Sequence, residues 1–271
     1  MTCRQCDDLG FYYDRDKVTS GRFGKFTLCP CVGRLCRCGG IAPYQYFDGS
    51  LQPCWCPCYR YRRGIQSVER LINAADIPAK YRWKFLDDFH ITGRDGSPIP
   101  DASHLKAVVL ALVERRARGE QARGFLFHGI PGTGKTLMAC IALTEMIIRC
   151  RKPGKFLDLS FNYFQKLRST YNGKSGMYGK TWEIIDQLTT VPFLVIDDFG
   201  VQRNTEWEIE MLYNLVDARY EEERVTLITT NKRLDDIRPL ADGRIYSRLI
   251  EMCYIVQFQG PDYRVSFSKM L

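Results

Sequence analysis

The residues Gly129-Ile130-Pro131-Gly132-Thr133-Gly134-Lys135-Thr136 have the types and spacing of a phosphate-binding loop. Glycines at these positions let the backbone curl so that successive amide hydrogens converge on phosphate oxygens. A helix beginning behind the loop adds its partial positive charge. Gly129, Pro131, Gly132, Thr133 and Gly134 then shape a cradle for ATP, Lys135 reaches the β- and γ-phosphates, and Thr136 holds Mg2+.

Two carboxylates stand where such chemistry needs them. The apolar run Val191-Pro192-Phe193-Leu194-Val195-Ile196 ends in Asp197-Asp198-Phe199-Gly200. Asp197 is placed to hold the magnesium through water, and Asp198 to orient or deprotonate the attacking water. A further apolar run, Val225-Thr226-Leu227-Ile228-Thr229-Thr230, ends in Asn231, whose amide can reach the same water. The implied reaction is ATP hydrolysis to ADP and phosphate.

A second chemistry crowds the first 58 residues, which hold nine of the twelve cysteines: Cys3, Cys6, Cys29, Cys31, Cys36, Cys38, Cys54, Cys56 and Cys58. Such density suits disulfides in a secreted domain and metal ligands in an intracellular one. An ATP-site motif on the same chain, with no apolar signal segment ahead of it, favours metal. The cysteines repeat as Cys3-x-x-Cys6 with Cys29-Pro30-Cys31, then Cys36-x-Cys38 with Cys56-Pro57-Cys58. Those eight would hold two Zn2+ ions, with Cys54 left over. Cys-x-Cys is tighter than the usual zinc-knuckle spacing, Cys54 could replace Cys56 or Cys58, and an iron–sulfur cluster uses the same four thiolates. Cys140, Cys150 and Cys253 fall in apolar patterns and read as small buried hydrophobes.

These groups need strands that end at the site and helices that start there. Gly124-Phe125-Leu126-Phe127-His128 reads as a buried strand leading into the loop, and residues 137 to 143 continue as a good helix former. Further apolar strands are expected at residues 155 to 159, 254 to 258 and 263 to 267, and a helix at 103 to 118. Continuous apolar strands alternating with helices predict an α/β fold, a parallel sheet with helices on both faces. The order of loop, acidic pair and polar strand end favours an ASCE-type P-loop ATPase, in which the strand ending at Asn231 lies between the loop strand and the acidic strand.

From about residue 66 onward, over three quarters of its length, the chain resembles the AAA+ group that contains the bacterial DnaC and DnaI helicase loaders and the transposition ATPase IstB. The resemblance is carried by Ala75-Asp76-Ile77-Pro78-Ala79-Lys80-Tyr81 before Phe85-Leu86-Asp87-Asp88-Phe89, by the phosphate loop, by Val195-Ile196-Asp197-Asp198-Phe199-Gly200 and by Arg244-Ile245-Tyr246-Ser247-Arg248-Leu249. It implies an AAA+ core over residues 77–271 without a large lid; ahead of it, the cysteine pattern makes residues 1–58 a zinc-ribbon-like head, and residues 59–76 read as a basic linker helix. Most AAA+ proteins carry Glu at the position of Asp198; the shorter carboxylate suits a slow, switch-like ATPase. Arg248 matches the arginine finger, which acts in a neighbour's site once ATP-bound subunits self-associate, and Arg244, one helical turn earlier, is the alternate. The implied function is that of a cytoplasmic loader that binds a DnaB-type replicative helicase and helps place it on single-stranded DNA during replication initiation. An IstB-like transposition helper shares the motifs but usually carries a helical head. A zinc-dependent adaptor that binds ATP without useful turnover is the remaining alternative.

The formal net charge of +8 invites nucleic acid. Eight thiolates and two divalent ions together remove four charges, leaving +4, so local clusters matter more than the total. One cluster is Tyr59-Arg60-Tyr61-Arg62-Arg63, a phosphate track or the solvated start of a helix. Another follows the second core strand, where the resemblance places contact with single-stranded DNA: Lys166, Arg168, Lys174 and Lys180 are its candidate contacts, interleaved with aromatic residues. There Phe161, Phe164 and Leu167 have the spacing of a buried helix face. No segment approaches transmembrane length, so no membrane partner is expected.

Overall fold

Two segments near the N-terminus, each carrying aromatic residues, form a hairpin, β1 (Phe11–Thr19) and β2 (Arg22–Leu28). A computed structural model describes residues 3–19, 22–92, 99, 101–159, 164, 178–201, 205–260 and 262 of the chain. It divides into two compact units, Met1–Leu71 and Ile72–Leu271.

In the first unit, antiparallel pairing sets Phe11 opposite Leu28 and Tyr13 opposite Phe26. Phe26 meets the rings of Phe11 and Tyr13 edge-on, at 5.6 and 5.2 Å between centroids. A single-turn helix α1 (Pro30–Gly33) follows, with proline where a helix start tolerates the missing N–H. A second hairpin joins β3 (Gln45–Phe47) to β4 (Pro53–Trp55), and helix α2 (Tyr59–Asn73) continues beyond it. Asp48 builds the hairpin turn by accepting from the backbone N–H of Ser50 and Gln52 at 2.9 and 3.0 Å. The buried cluster around the second cysteine group is small, with Val32, Cys56 and Cys58 at its centre. Apolar burial on that scale does not fold so short a segment by itself.

The second unit is built on five strands: β5 (Gly124–Gly129), β6 (Gly154–Asp158), β7 (Phe193–Asp197), β8 (Val225–Thr230) and β9 (Cys253–Phe258). The sheet order is β6-β7-β8-β5-β9, and every neighbouring pair is parallel. The strand that ends at Asn231 therefore lies between the loop strand and the acidic strand, as the motif order predicts. Every residue of β7 and β8 is buried, which explains their unbroken apolar character. The 263 to 267 strand expected from sequence lies outside the described residues.

Helices α3 (Ala102–Ala117), α4 (Lys135–Cys150), α5 (Tyr178–Thr190), α6 (Glu206–Glu221), α7 (Leu234–Ile237) and α8 (Arg244–Met252) flank the sheet. Helix α4 is buried from Met138 to Ile148, so it is covered on all sides rather than on one stripe, with Thr144 and Glu145 the polar residues in that run. Thr205 caps α6 by accepting from Glu208 N, and Glu206 and Glu208 complement the helix dipole.

One buried cation ties this layer together. Arg219 of α6 is wholly buried, and its guanidinium donates to the carbonyls of Leu188, Val191 and Val225, each at 2.8 Å, and to Thr226 Oγ1 at 2.9 Å. It thereby satisfies carbonyls near the end of α5 and the start of β8 that would otherwise be buried without donors. Desolvation pulls its pKa down to about 9. Because all strands of the sheet run the same way, the C-terminal ends of β5, β7 and β8 open on one edge, where ligands bind in such folds.

Candidate functional site

The phosphate loop leaves β5 at Gly129 and enters α4 at Lys135, with Gly132 and Gly134 at φ of +81° and +94° that side chains rarely adopt. Lys135 Nζ donates to the carbonyls of Gly129 and Ile130 at 2.9 and 2.7 Å, inside the loop's curl. Thr133 Oγ1 donates to Ile130 O at 2.9 Å and braces the same turn.

Asp197 ends β7 directly beside this loop. Its Oδ1 accepts from Thr136 Oγ1 at 2.9 Å and also from Thr229 Oγ1 of β8. Burial, reinforced by Asp198 and Asp158 and opposed by the two hydroxyls, pushes the Asp197 carboxyl up to about 6. A hydroxyl and a carboxylate meeting at the mouth of a phosphate loop are the hard oxygen donors that suit magnesium. Such an ion would relieve the buried charge.

Asp198 sits in the left-handed region at φ +55°, a turn that aspartate tolerates better than most residues. Its backbone N–H donates to Thr229 Oγ1 at 3.2 Å, and its Oδ1 accepts from Asn231 Nδ2 at 3.1 Å. Thr230 Oγ1 donates to Phe199 O at 2.7 Å, so the ends of β7 and β8 are laced together. Lys135, Thr136, Asp197, Asp198 and Asn231, drawn from three separate strands and their loops, thus share one sheet edge.

Two contributors carried no clear motif. Thr229 bridges Asp197 and Asp198; as one of three threonines in its strand, it has no signal that sets it apart. Phe89 lies against the loop, where a Cβ on Gly134 would come within 3.2 Å of its ring. With Ile99, Leu105, Thr133, Ile255 and Phe258 it lines a cavity of about 320 Å³ beside the cradle. Its sequence signal is confined to the Phe85 to Phe89 motif, which by itself names no role.

Arg244 and Arg248 share one face of α8, as their spacing requires. The Arg248 guanidinium pairs with Asp217, donates to Tyr213 Oη at 3.1 Å and lies over the rings of Tyr213 and Tyr220 at 5.0 and 5.5 Å. Arg244 lies over the Tyr213 ring at 4.6 Å and donates to Ala241 O at 3.1 Å. Both are therefore held by side chains or backbone of their own subunit. Of the proposed DNA contacts, Lys180 lies in α5, and Lys166, Arg168 and Lys174 fall outside the described residues.

The cysteines gather into the two sets that the repeat implies: Cys3, Cys6, Cys29 and Cys31, and Cys36, Cys38, Cys56 and Cys58, each with its sulfurs within 4.8 Å of one another. Cys3 to Cys29 and Cys6 to Cys31 measure 3.7 Å, and Cys36, Cys38 and Cys58 are mutually 3.6 to 3.7 Å apart. A tetrahedral ion with metal–sulfur bonds of about 2.3 Å places its thiolates about 3.8 Å apart, whereas a disulfide needs about 2.05 Å. The fit is to one ion per set, while an iron–sulfur cluster spreads its thiolates over several irons. Cys54 stands aside, with its thiol donating to Asp48 Oδ2 at 3.6 Å.

Groups around the sulfurs act in both directions: burial raises the Cys6 and Cys58 thiols and the Cys29 sulfur raises Cys31, while hydrogen-bond donors oppose this at several positions. The backbone N–H of Arg37 donates to Cys56 Sγ at 3.2 Å and Arg62 Nε to Cys58 Sγ at 3.4 Å. The Gln5 amide leads in pulling the Cys3 thiol down to about 7.

Comparison with known proteins agrees with this geometry. The model of the IstB-like ATP-binding protein family matches residues 60–270. Replicative helicase loader DnaC of Escherichia coli (strain K12) is 27% identical over 125 residues, covering 46% of this chain and 49% of that protein. The phage-like element PBSX protein XkdC of Bacillus subtilis (strain 168) is 23% identical over 218 residues, 78% of this chain and 76% of that one. The chain thus spans about half the length of the DnaC relative that it matches. A crystal structure of the DnaC helicase loader superposes with a TM-score of 0.56 at 22% identity, covering 67% of this chain and 100% of that one, which speaks for the fold. With its phosphate loop, acidic strand end and sheet order inside the matched region, the chain belongs to the family of IstB-like ATP-binding proteins.

Proposed function

We propose that this protein is an ATP-switched loader that docks a DnaB-type replicative helicase through its zinc head and helps place it on single-stranded DNA. The observation that carries the reading is the convergence of Lys135, Thr136, Asp197, Asp198 and Asn231 on one sheet edge, in a chain similar to DnaC. Loop amides and Lys135 bind the ATP phosphates, and the cavity beside Phe89 takes the base. Thr136 and Asp197 would hold magnesium, whose charge would offset that of the phosphates. Asp198, oriented by Asn231, positions the attacking water. A carboxylate held by a neutral amide donor stays available as a hydrogen-bond acceptor for that water.

Two zinc ions, held by Cys3, Cys6, Cys29 and Cys31 and by Cys36, Cys38, Cys56 and Cys58, fold the head. Lys166, Arg168, Lys174 and Lys180 contact single-stranded DNA in the ATP-bound assembly. Arg248 is the finger across the subunit boundary, and its pairing with Asp217 must be exchanged for the neighbour's γ-phosphate. Arg248→Ala should retain ATP affinity and lose the hydrolysis that assembly or DNA stimulates, by about 10³-fold. Mixing it with Lys135→Ala should restore activity, because each subunit supplies what the other lacks. A mixture that stays inactive while wild-type subunits assemble and turn over would move the role to Arg244.

Co-purification tests the whole reading. The full chain should capture a DnaB-type helicase. Capture of a transposase in its place would support the transposition-helper alternative, which the family description itself keeps in view.

A further inference from the structure

The second cysteine module carries a surface that neither its metal ligands nor the nucleotide site uses. In the β3/β4 hairpin, strand alternation leaves Tyr46 and Cys54 half-buried and turns Gln45, Phe47, Pro53 and Trp55 to the outer face. Phe47 is 71% exposed and Trp55 55% exposed, although both are large apolar rings. Phe47 pairs with Pro53 and Gln45 with Trp55, so the two rings are diagonal neighbours on one face, roughly 7 Å apart. Trp55 also stacks on Tyr59, the first residue of α2, with centroids 4.2 Å apart and planes at 28°.

Exposed cations follow Trp55 at the start of α2: Arg63 donates to Tyr59 Oη at 3.2 Å, and Arg60 lies over the Tyr61 ring at 4.6 Å, while Arg37 lies over Tyr46 on the hairpin's other face. From residue 30 to 63 there are five arginines and a single acid, Asp48, whose carboxylate is taken up by Ser50 N, Gln52 N and the Cys54 thiol. Even with two negative charges from a four-thiolate zinc centre, the segment keeps a surplus of two positive charges.

We propose that this face is a second binding site for single-stranded DNA, with Trp55 and Phe47 stacking on bases and Arg60 and Arg63 meeting phosphates. Accessible flat rings followed by cations match the alternating base and phosphate chemistry of an unpaired strand. A duplex hides its base faces, and an apolar protein surface would leave the arginines unmatched. The metal-stapled hairpin holds the rings in place before the strand arrives, which lowers the ordering cost of binding. This inference goes beyond the loader reading and does not depend on which helicase, if any, is captured.

The test uses the full-length, zinc-loaded protein without nucleotide. An oligo(dT) strand carrying 5-iododeoxyuridine, irradiated in the complex, should cross-link to Trp55, Phe47 or Tyr59, as read by peptide mass spectrometry. Trp55→Ala should weaken binding of a labelled oligo(dT) about tenfold, while Trp55→Phe keeps most of it and both retain wild-type zinc content. Replacing Arg60 and Arg63 by Ala together should reduce the salt slope of binding by about 1.4. Cross-links confined to residues 72–271, or wild-type affinity in Trp55→Ala, would overturn the proposal. So would tighter binding of oligo(U) than oligo(dT), or a Trp55→Ala variant that loses helicase capture but keeps its DNA cross-links. If Trp55→Ala loses zinc, the cross-link positions in the unaltered protein decide.

Discussion

Lys135→Ala is expected to abolish tight ATP binding, by about 100-fold or more, corresponding to about 2.7 kcal/mol. The lysine is buried within the loop's curl, where its charge compensates phosphate in the ground state. Asp198→Asn should behave in the opposite way. The substitution keeps the size of the side chain and leaves the loop intact, so ATP affinity should remain near wild type while turnover falls about 10²- to 10⁴-fold. Titration with a fluorescent ATP analogue, followed by single-turnover hydrolysis, separates the two effects. Equal loss of affinity in both variants would mean that Asp198 acts on bound nucleotide and not on water.

Metal removal has the other large expected effect. Purified protein should carry two zinc ions per chain, and chelation should unfold residues 1–58 while nucleotide binding by the core persists. The physical reason is how little apolar surface the head buries: Val32 beside Cys56 and Cys58 around the second cysteine group, and Phe11 and Phe26 in the first hairpin. Its folding free energy must come mainly from metal–thiolate bonds, worth on the order of 10 kcal/mol for a structural zinc. Elemental analysis and hydrogen exchange before and after chelation check both halves of the statement. Metal content near one per chain would mean that one set of sulfurs 3.6 to 3.7 Å apart is held by something other than zinc. Protection of residues 1–58 that survives chelation would contradict the metal account of the head.

The nucleotide site was legible because its groups obey local rules. A phosphate loop needs its glycines and lysine at fixed spacing, and a buried parallel strand advertises itself as an unbroken apolar run ending in a carboxylate. The place of β8 between β5 and β7 followed from the same motifs, since Asn231 must reach Asp198, whereas the edge positions of β6 and β9 carried no motif. The pairing of cysteines into two sets was visible as a repeat that leaves Cys54 over, but nothing local to the sequence excluded Cys54 as a replacement for Cys56 or Cys58. Its exclusion depends on strand register, because Cys54 sits within β4 opposite Tyr46 while Cys56 and Cys58 lie beyond the strand's end.

Other features depend on contacts between residues far apart in sequence. Thr229 owes its role to the adjacency of β7 and β8, and Phe89 to packing against Gly134. Arg219 looks like a surface residue of a charged helix and is instead the buried donor for three carbonyls. The engagement of Arg248 by Asp217 and Tyr213 across two helices was equally invisible, and it adds a step that a finger acting on a neighbour must complete.

The most direct measurement is helicase placement on closed circular single-stranded DNA, which has no end to thread. With ATP, the full-length protein should raise the amount of a DnaB-type helicase retained on the circle in a gel-filtration assay. Lys135→Ala should give none of this increase, and chelated protein should fail to capture the helicase at all. Retention that is independent of the protein, or a gain that persists unchanged with Lys135→Ala and without zinc, would contradict an ATP-switched loader with a metal-built docking head.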